Sequence, residues 1–237
     1  MDPNLSPELS EILQSFKIAN YPAFESSMMK FYGYLSEENE KYNLTRIRTL
    51  DEFWIKHVID ILYLARYFPE TATAHLKVAD IGSGAGFPSI VLACAFPNLH
   101  ITAVDSSHKK TDFMRRASDL LELKNLSVIT VRAREMAARR EWKLKFDIIT
   151  ARAVSTSTDI YSEARGMLRN GGRYIFYKTP RQAETELGEI RKLTVTHAVK
   201  WNCTGTFNLP QDMGERVFIF SLLKQDMESV SSRRVTD

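Results

Sequence analysis

The stretch Val78-Ala79-Asp80-Ile81-Gly82-Ser83-Gly84-Ala85-Gly86-Phe87-Pro88 decides the fold. A short apolar run with a β-branched residue ends in an acid. Three glycines at alternate positions then open a segment, 88–96, that reads as a helix with proline in its first turn. This is a strand, a tight turn and a helix start. Glycines at 82, 84 and 86 allow positive φ and let a nucleotide-like ligand lie against main-chain N–H groups with no Cβ in the way. Counting G-x-G-x-x-G from Gly82 places Phe87 where a dinucleotide fingerprint has its last glycine, so the turn departs from a pyrophosphate cradle. A second apolar run, Ile101-Thr102-Ala103-Val104, ends in Asp105, and a carboxylate at a strand tip is placed to grip a ribose diol.

Downstream of this stretch the pattern alternates. Strands are expected at 76–81, 99–105, 126–131, 146–150 and 173–178, with helices at 88–96, 107–123, 157–168 and 182–192 and a short turn or helix near 140. Such alternation implies a parallel sheet covered on both faces. Two apolar runs, 193–201 and 216–223, flank a loop of Gly, Asn and Pro and predict an antiparallel hairpin at the sheet edge. Upstream, apolar residues at helical spacing predict helices over 7–19, 23–42 and from Thr49 or Asp51 to about Tyr67. The expected organisation is an N-terminal α-helical lobe (1–70), an α/β ligand-binding domain (71–228) and a flexible tail (229–237).

The 237 residues, 44% hydrophobic, can bury a full core. No run of about 18 apolar residues is present, and Met1-Asp2-Pro3-Asn4 lacks the order of a signal peptide, so a cytoplasmic protein without membrane partners is expected. Cys94 and Cys203 have no second cysteine or histidine at metal-ligand spacing and read as free thiols. Net charge is +3, unevenly spread: residues 1–75 hold 7 Lys or Arg against 11 Asp or Glu, and residues 76–237 hold 25 against 18. A basic surplus on the glycine-loop half is compatible with a polyanionic substrate.

The pattern D-x-G-x-G-x-G resembles the first motif of S-adenosylmethionine-dependent methyltransferases of the Rossmann-like class. Further motifs are Val104-Asp105-Ser106-Ser107-His108-Lys109-Lys110, Phe113 to Arg116, Ala151-Arg152-Ala153 and Gly214-Glu215-Arg216, with Tyr42-Asn43-Leu44-Thr45 and His57-Val58-Ile59-Asp60 in the lobe. Together they resemble the 16S ribosomal RNA guanine-N7 methyltransferases, the glucose-inhibited division protein B family. The chain departs from that family's usual pattern at Ile61, Ser89, Val91, Arg134 and Thr179.

The resemblance implies a mostly parallel seven-stranded sheet flanked by helices, S-adenosyl-L-methionine as cofactor, and methyl transfer to N7 of a guanine in the 530-loop region of 16S rRNA. The substrate form is the RNA or the small ribosomal subunit, and the protein is expected to be a monomer. Asp80, Gly82, Gly84, Gly86, Phe87, Asp105, Ser106, Ala133, Arg134 and Arg152 are implied cofactor contacts, with only backbone available to adenine at Arg134. Asn43, His57, Lys178 and Arg216 are implied to position the target base, and Asp60 is a further candidate for that contact. Arg46, Arg48, Lys109, Lys110, Arg115 and Arg116 are implied RNA contacts. No general base is required, because N7 bears no proton at neutral pH. Two other readings stay open: a non-catalytic ribosome- or RNA-binding protein on the same fold, and a methyltransferase with another substrate. Phe87 counts against a nicotinamide oxidoreductase.

Overall fold

The computed structural model describes residues 5–195 and 199–222, so the expected tail at 229–237 lies outside the described residues. Helix α1 (Pro7–Gln14) starts where Ser6 Oγ accepts from the Leu9 N–H, and α2 (Tyr21–Tyr42) where the Asn20 side chain accepts from Ala23. Asn43, in the left-handed region at φ +50°, ends α2. The third helix is continuous from α3 (Leu50–Phe53) through a π turn (Trp54–Ile59) into α4 (Asp60–Tyr67), and a short α5 (Glu70–Thr73) follows. Nothing in the apolar spacing foretold the π turn, which carries His57 at its centre.

The alternating part runs β1 (Leu76–Ile81), α6 (Ser89–Ala95), β2 (Leu99–Asp105), α7 (His108–Leu120), β3 (Leu126–Thr130), α8 (Ala133–Ala137), β4 (Phe146–Arg152), α9 (Ser157–Ala164), β5 (Leu168–Lys178) and α10 (Pro180–Thr194). Three strands close it: β6 (Trp201–Cys203), β7 (Phe207–Asn208) and β8 (Glu215–Ser221). The strand order is β3-β2-β1-β4-β5-β8-β6, parallel from β3 to β5, with β8 antiparallel to β5, β6 and the short β7.

Side chains along each central strand alternate between two buried clusters. Val78, Ile148, Ile175 and Phe218 join the front helices in one, while Ala79, Ile149, Phe176 and Ile219 join α8, α9 and α10 in the other. A strand buried on both faces explains why these segments read as continuous apolar runs.

Several boundaries differ from expectation, beginning with the first helix, expected over 7–19, which ends at Gln14. Helix α9 stops at Ala164 rather than 168, and β5 begins at Leu168 rather than 173. Leu168 pairs with Phe146 before a register shift to Ile148 and Arg173, and Asn170-Gly171-Gly172 lies in that irregularity, hiding the strand's start. The run 193–201 is not one strand. A capping box between Thr179 and Gln182 starts α10, whose buried face continues through Ala183, Glu186, Ile190 and Thr194, so the helix absorbs Leu193. Only Trp201–Cys203 pairs with β8, and 196–198 lie outside the described residues.

Candidate active site

Parallel strands deliver their carboxyl ends to one edge, and the strand order reverses between β1 and β4, the switch point where open α/β sheets bind ligands. There the glycine loop is tied to β2. The Gly82 and Ser83 N–H groups both donate to Val104 O (2.7 and 3.1 Å), and Ser83 Oγ donates to Asp80 O while accepting from the Val104 N–H. Gly84 N–H donates to Asp105 Oδ2 at 3.0 Å and Ser107 N–H to Oδ1 at 2.9 Å. Gly86 has φ +87°, and a Cβ there would run into the Ile90 side chain.

The loop opens on a cleft of about 660 Å³ lined by eight of the expected cofactor residues: Gly82, Gly84, Phe87, Asp105, Ser106, Ala133, Arg134 and Arg152. Ile81, Val104 and Val131 add apolar wall. Each Asp105 oxygen accepts one backbone N–H and keeps capacity for a diol, with Lys110 Nζ 3.9 Å away. A nucleoside fits this cradle by size and donor set. Asp80 and Gly86 are not brought to the cleft. Asp80 is 1% exposed and accepts from Ser89 Oγ, and burial pushes its carboxyl up to about 6. Its expected place as a cofactor ligand is therefore corrected to a support beneath the loop, completed by the hydroxyl of Ser89.

The lobe builds the opposite wall. The His57 imidazole stacks on Phe87 and accepts at Nδ1 from Arg152 Nη2. Nε2 then carries the hydrogen and donates to Thr45 Oγ1 at 3.3 Å. Burial, reinforced by the Arg152 charge, holds the imidazole well below its ordinary pKa of 6.5, hence neutral. Arg152 also donates Nη1 to Lys56 O and to Asp60 Oδ2, both at 2.8 Å, and Arg216 Nε approaches the same Asp60 oxygen at 3.3 Å.

Beyond this wall is a second cavity of about 690 Å³, lined by Arg46, Lys56, Asp60, Tyr177, Lys178, Gln182 and Arg216. It shares Leu44, Thr45, His57, Arg152 and Ala153 with the first. Three expected base-positioning residues, His57, Lys178 and Arg216, thus meet here, although the Lys178 ammonium is already held by Glu186 (2.8 Å) and Ser155 O (2.7 Å). Asn43 and Arg48 line a separate recess of about 270 Å³ with Asn39. Of the expected RNA contacts, Arg46 and Lys110 border the cavities and Lys109 sits 4.3 Å over the Tyr42 ring. Arg115 pairs with Asp112 and Arg116 with Glu38, so both guanidiniums are engaged on α7.

Thr45, Tyr177 and Ala153 were not singled out by sequence as site residues. Ala153 adopts φ +55°, for which alanine gives no signal. Among the described residues no group of His, Cys, Asp or Glu is arranged to hold a metal ion, and no helix is long and apolar enough to cross a membrane.

The fold is shared with solved structures at low identity. Precorrin-6y C5,15-methyltransferase from Geobacter metallireducens superposes with TM-score 0.51 at 13% identity, over 69% of this chain and 89% of that one. Trm5b from Pyrococcus abyssi gives 0.51 at 18%, over 70% and 50%. In sequence, ribosomal RNA small subunit methyltransferase G of Lysinibacillus sphaericus is 35% identical over 82% of this chain and 81% of its own length. The Mycoplasma capricolum protein of the same name is 38% identical over 68% and 67%. The family described as rRNA small subunit methyltransferase G matches residues 25–210, from within α2 to just past β7. The chain belongs to the rRNA small subunit methyltransferase G family.

Proposed function

We propose that the protein transfers a methyl group from S-adenosyl-L-methionine to N7 of a guanine in 16S rRNA, in the 530-loop region. The observation that carries this reading is the pair of cavities at the switch point with one shared wall, one sized for a nucleoside cofactor and the other bordered by cationic side chains. Gly82 and Gly84 backbone, the Asp105 carboxylate, Phe87 and the Ala133–Arg134 main chain would hold the cofactor. When bound, the cofactor supplies a methyl on a sulfonium, so the N7 lone pair forms the N–C bond as the C–S bond breaks and its electrons stay on sulfur.

N7 has no proton to lose, and the arrangement of His57 agrees. Its Nδ1 lone pair is occupied by the Arg152 N–H and its Nε2 carries the hydrogen given to Thr45, so it positions rather than abstracts. What remains for the protein is alignment and charge management. Positive charge develops on the base, and Asp60 offsets the two guanidiniums that border the base cavity. Arg46 and Lys110 border the cavities, where phosphates of an unpaired loop would pass, and Lys109 stands next to Lys110 on α7 over the Tyr42 ring. Ionic partners already claim Lys178, Arg115 and Arg116, so their weight in RNA binding is smaller.

The test is labelled-methyl transfer to small subunits and to naked RNA from a strain lacking the enzyme, beside the Gly82→Asp variant. Incorporation at N7 of one guanine, lost in the variant, is expected. Cofactor binding without incorporation would move the substrate elsewhere, and no cofactor binding would favour a non-catalytic RNA-binding protein.

A further inference from the structure

We propose that Asp60 selects guanine, its Oδ1 accepting the N1–H and exocyclic N2–H donors of the target base in the second cavity. The proposal rests on the guanine-methylation reading above and names the residue that enforces it. Asp60 opens α4 at the end of the π turn, is 2% exposed and lines that cavity. Its two oxygens are used unequally. Oδ2 takes Arg152 Nη1 and Arg216 Nε, whereas Oδ1 has no hydrogen-bond partner among the described residues. Tyr34, Trp54, Asp80 and Thr150, which also hold buried polar side-chain atoms without a hydrogen-bond partner among the described residues, lie outside this cavity. A buried carboxylate oxygen left unpaired is costly, and with the two arginines spent on Oδ2 the acceptor still to be satisfied on this cavity-lining residue is Oδ1.

Purine chemistry then decides which occupant. Guanine carries N–H donors at N1 and N2, while adenine presents a lone pair at N1, which a carboxylate repels. N7 lies on the opposite edge of the purine, so a base held at N1 and N2 leaves N7 unobstructed. The same contact assists the reaction. As N7 gains the methyl, positive charge spreads over the ring, N1–H and N2–H become stronger donors, and the bond to Asp60 tightens in the transition state. No proton is transferred in this step. Lys178 does not compete for Asp60, because its ammonium is held by Glu186 and Ser155.

The experiment uses small-subunit RNA carrying either guanine or inosine, which lacks the N2 amino group, at the target position, with single-turnover methyl transfer by wild type and Asp60→Asn. Cofactor Kd and circular dichroism are read in parallel. Wild type is expected to lose roughly tenfold to a hundredfold on inosine, the range for one base-edge contact. Asp60→Asn is expected to be slow on guanine, to treat both bases alike and to bind cofactor as wild type does. A purely architectural Asp60 would leave the guanine preference intact in the variant, and that result overturns the proposal, as does a wild type indifferent to inosine. Should Asp60→Asn fail to fold, Asp60→Glu, which keeps the carboxylate but displaces it, replaces it with the same readout. No transfer by wild type to guanine itself, with cofactor bound, sinks the parent reading and this assignment together; transfer to guanine without preference sinks this assignment alone.

Discussion

The ring of His57 lies on the ring of Phe87, with centroids 3.9 Å apart and planes 21° apart, so a lobe residue and a glycine-loop residue form one platform. Because burial and Arg152 depress the His57 pKa, the unfolded chain binds this proton more readily than the folded one. His57 therefore costs stability as pH falls below its ordinary 6.5, and its contribution is complete above that value. His57→Gln, which keeps an acceptor for Arg152, should show a shallower loss of stability between about pH 7 and 5.5 in denaturant titrations. Parallel curves for the two proteins would refute this account.

Asp80 behaves in the opposite sense. Its carboxyl is raised from 3.8 to about 6, chiefly by burial, so the fold favours the protonated form. Its stabilising contribution is present below 3.8 and is lost as pH rises through about 6. The unfolding free energy of Asp80→Asn relative to wild type should shift by roughly 2–3 kcal/mol in the variant's favour between about pH 4 and 7. A pH-independent difference would show that Asp80 does not titrate in this range.

Lys178 and Glu186 form a buried pair, and Glu186 also accepts from the Ser157 N–H and hydroxyl. Lys178→Met strands a buried carboxylate and should cost about 3–5 kcal/mol in equilibrium unfolding. Adding Glu186→Gln, which can still accept from Ser157, should restore more than half of that loss. A small effect of the single variant on stability, with a large one on methyl transfer, would instead place the ammonium on the substrate.

Gly86→Ala puts a Cβ into the Ile90 side chain at a backbone with φ +87°. It should lower stability by about 1–3 kcal/mol, and in an Ile90→Ala background the same substitution should cost less but not nothing, because the clash is gone while the backbone strain persists. Gly82→Ala, at φ +71°, carries the same kind of backbone strain, but its Cβ meets only the exposed Val154 side chain at 2.5 Å, which can turn away. Cofactor affinity should therefore suffer more than folding, as isothermal titration would reveal.

The sheet was legible because its signals are local. Val78 to Pro88 encodes strand, turn and helix within eleven consecutive residues, and Asp105 marks the next strand's tip. Features that depend on distant contacts were not. The π turn around His57 is matched to Arg152, 95 positions away, and no apolar period encodes a widened turn. Asp80 looked like a ligand because acids at strand ends often are, yet the serine at 89 supplies it with an internal partner. Leu193 reads as strand because an apolar run cannot say whether the preceding helix has finished.

His57 and Arg152 line both cavities, so a ligand in either one rests against side chains that also face the other. Two ligands that share a wall are thermodynamically coupled, and the coupling is reciprocal: the factor by which bound cofactor alters RNA affinity equals the factor by which RNA alters cofactor affinity. Order of arrival then governs only rates. The cofactor loses one positive charge on giving up its methyl, so wherever the two sites are coupled through His57 and Arg152 the spent and fresh forms hold RNA with different strength.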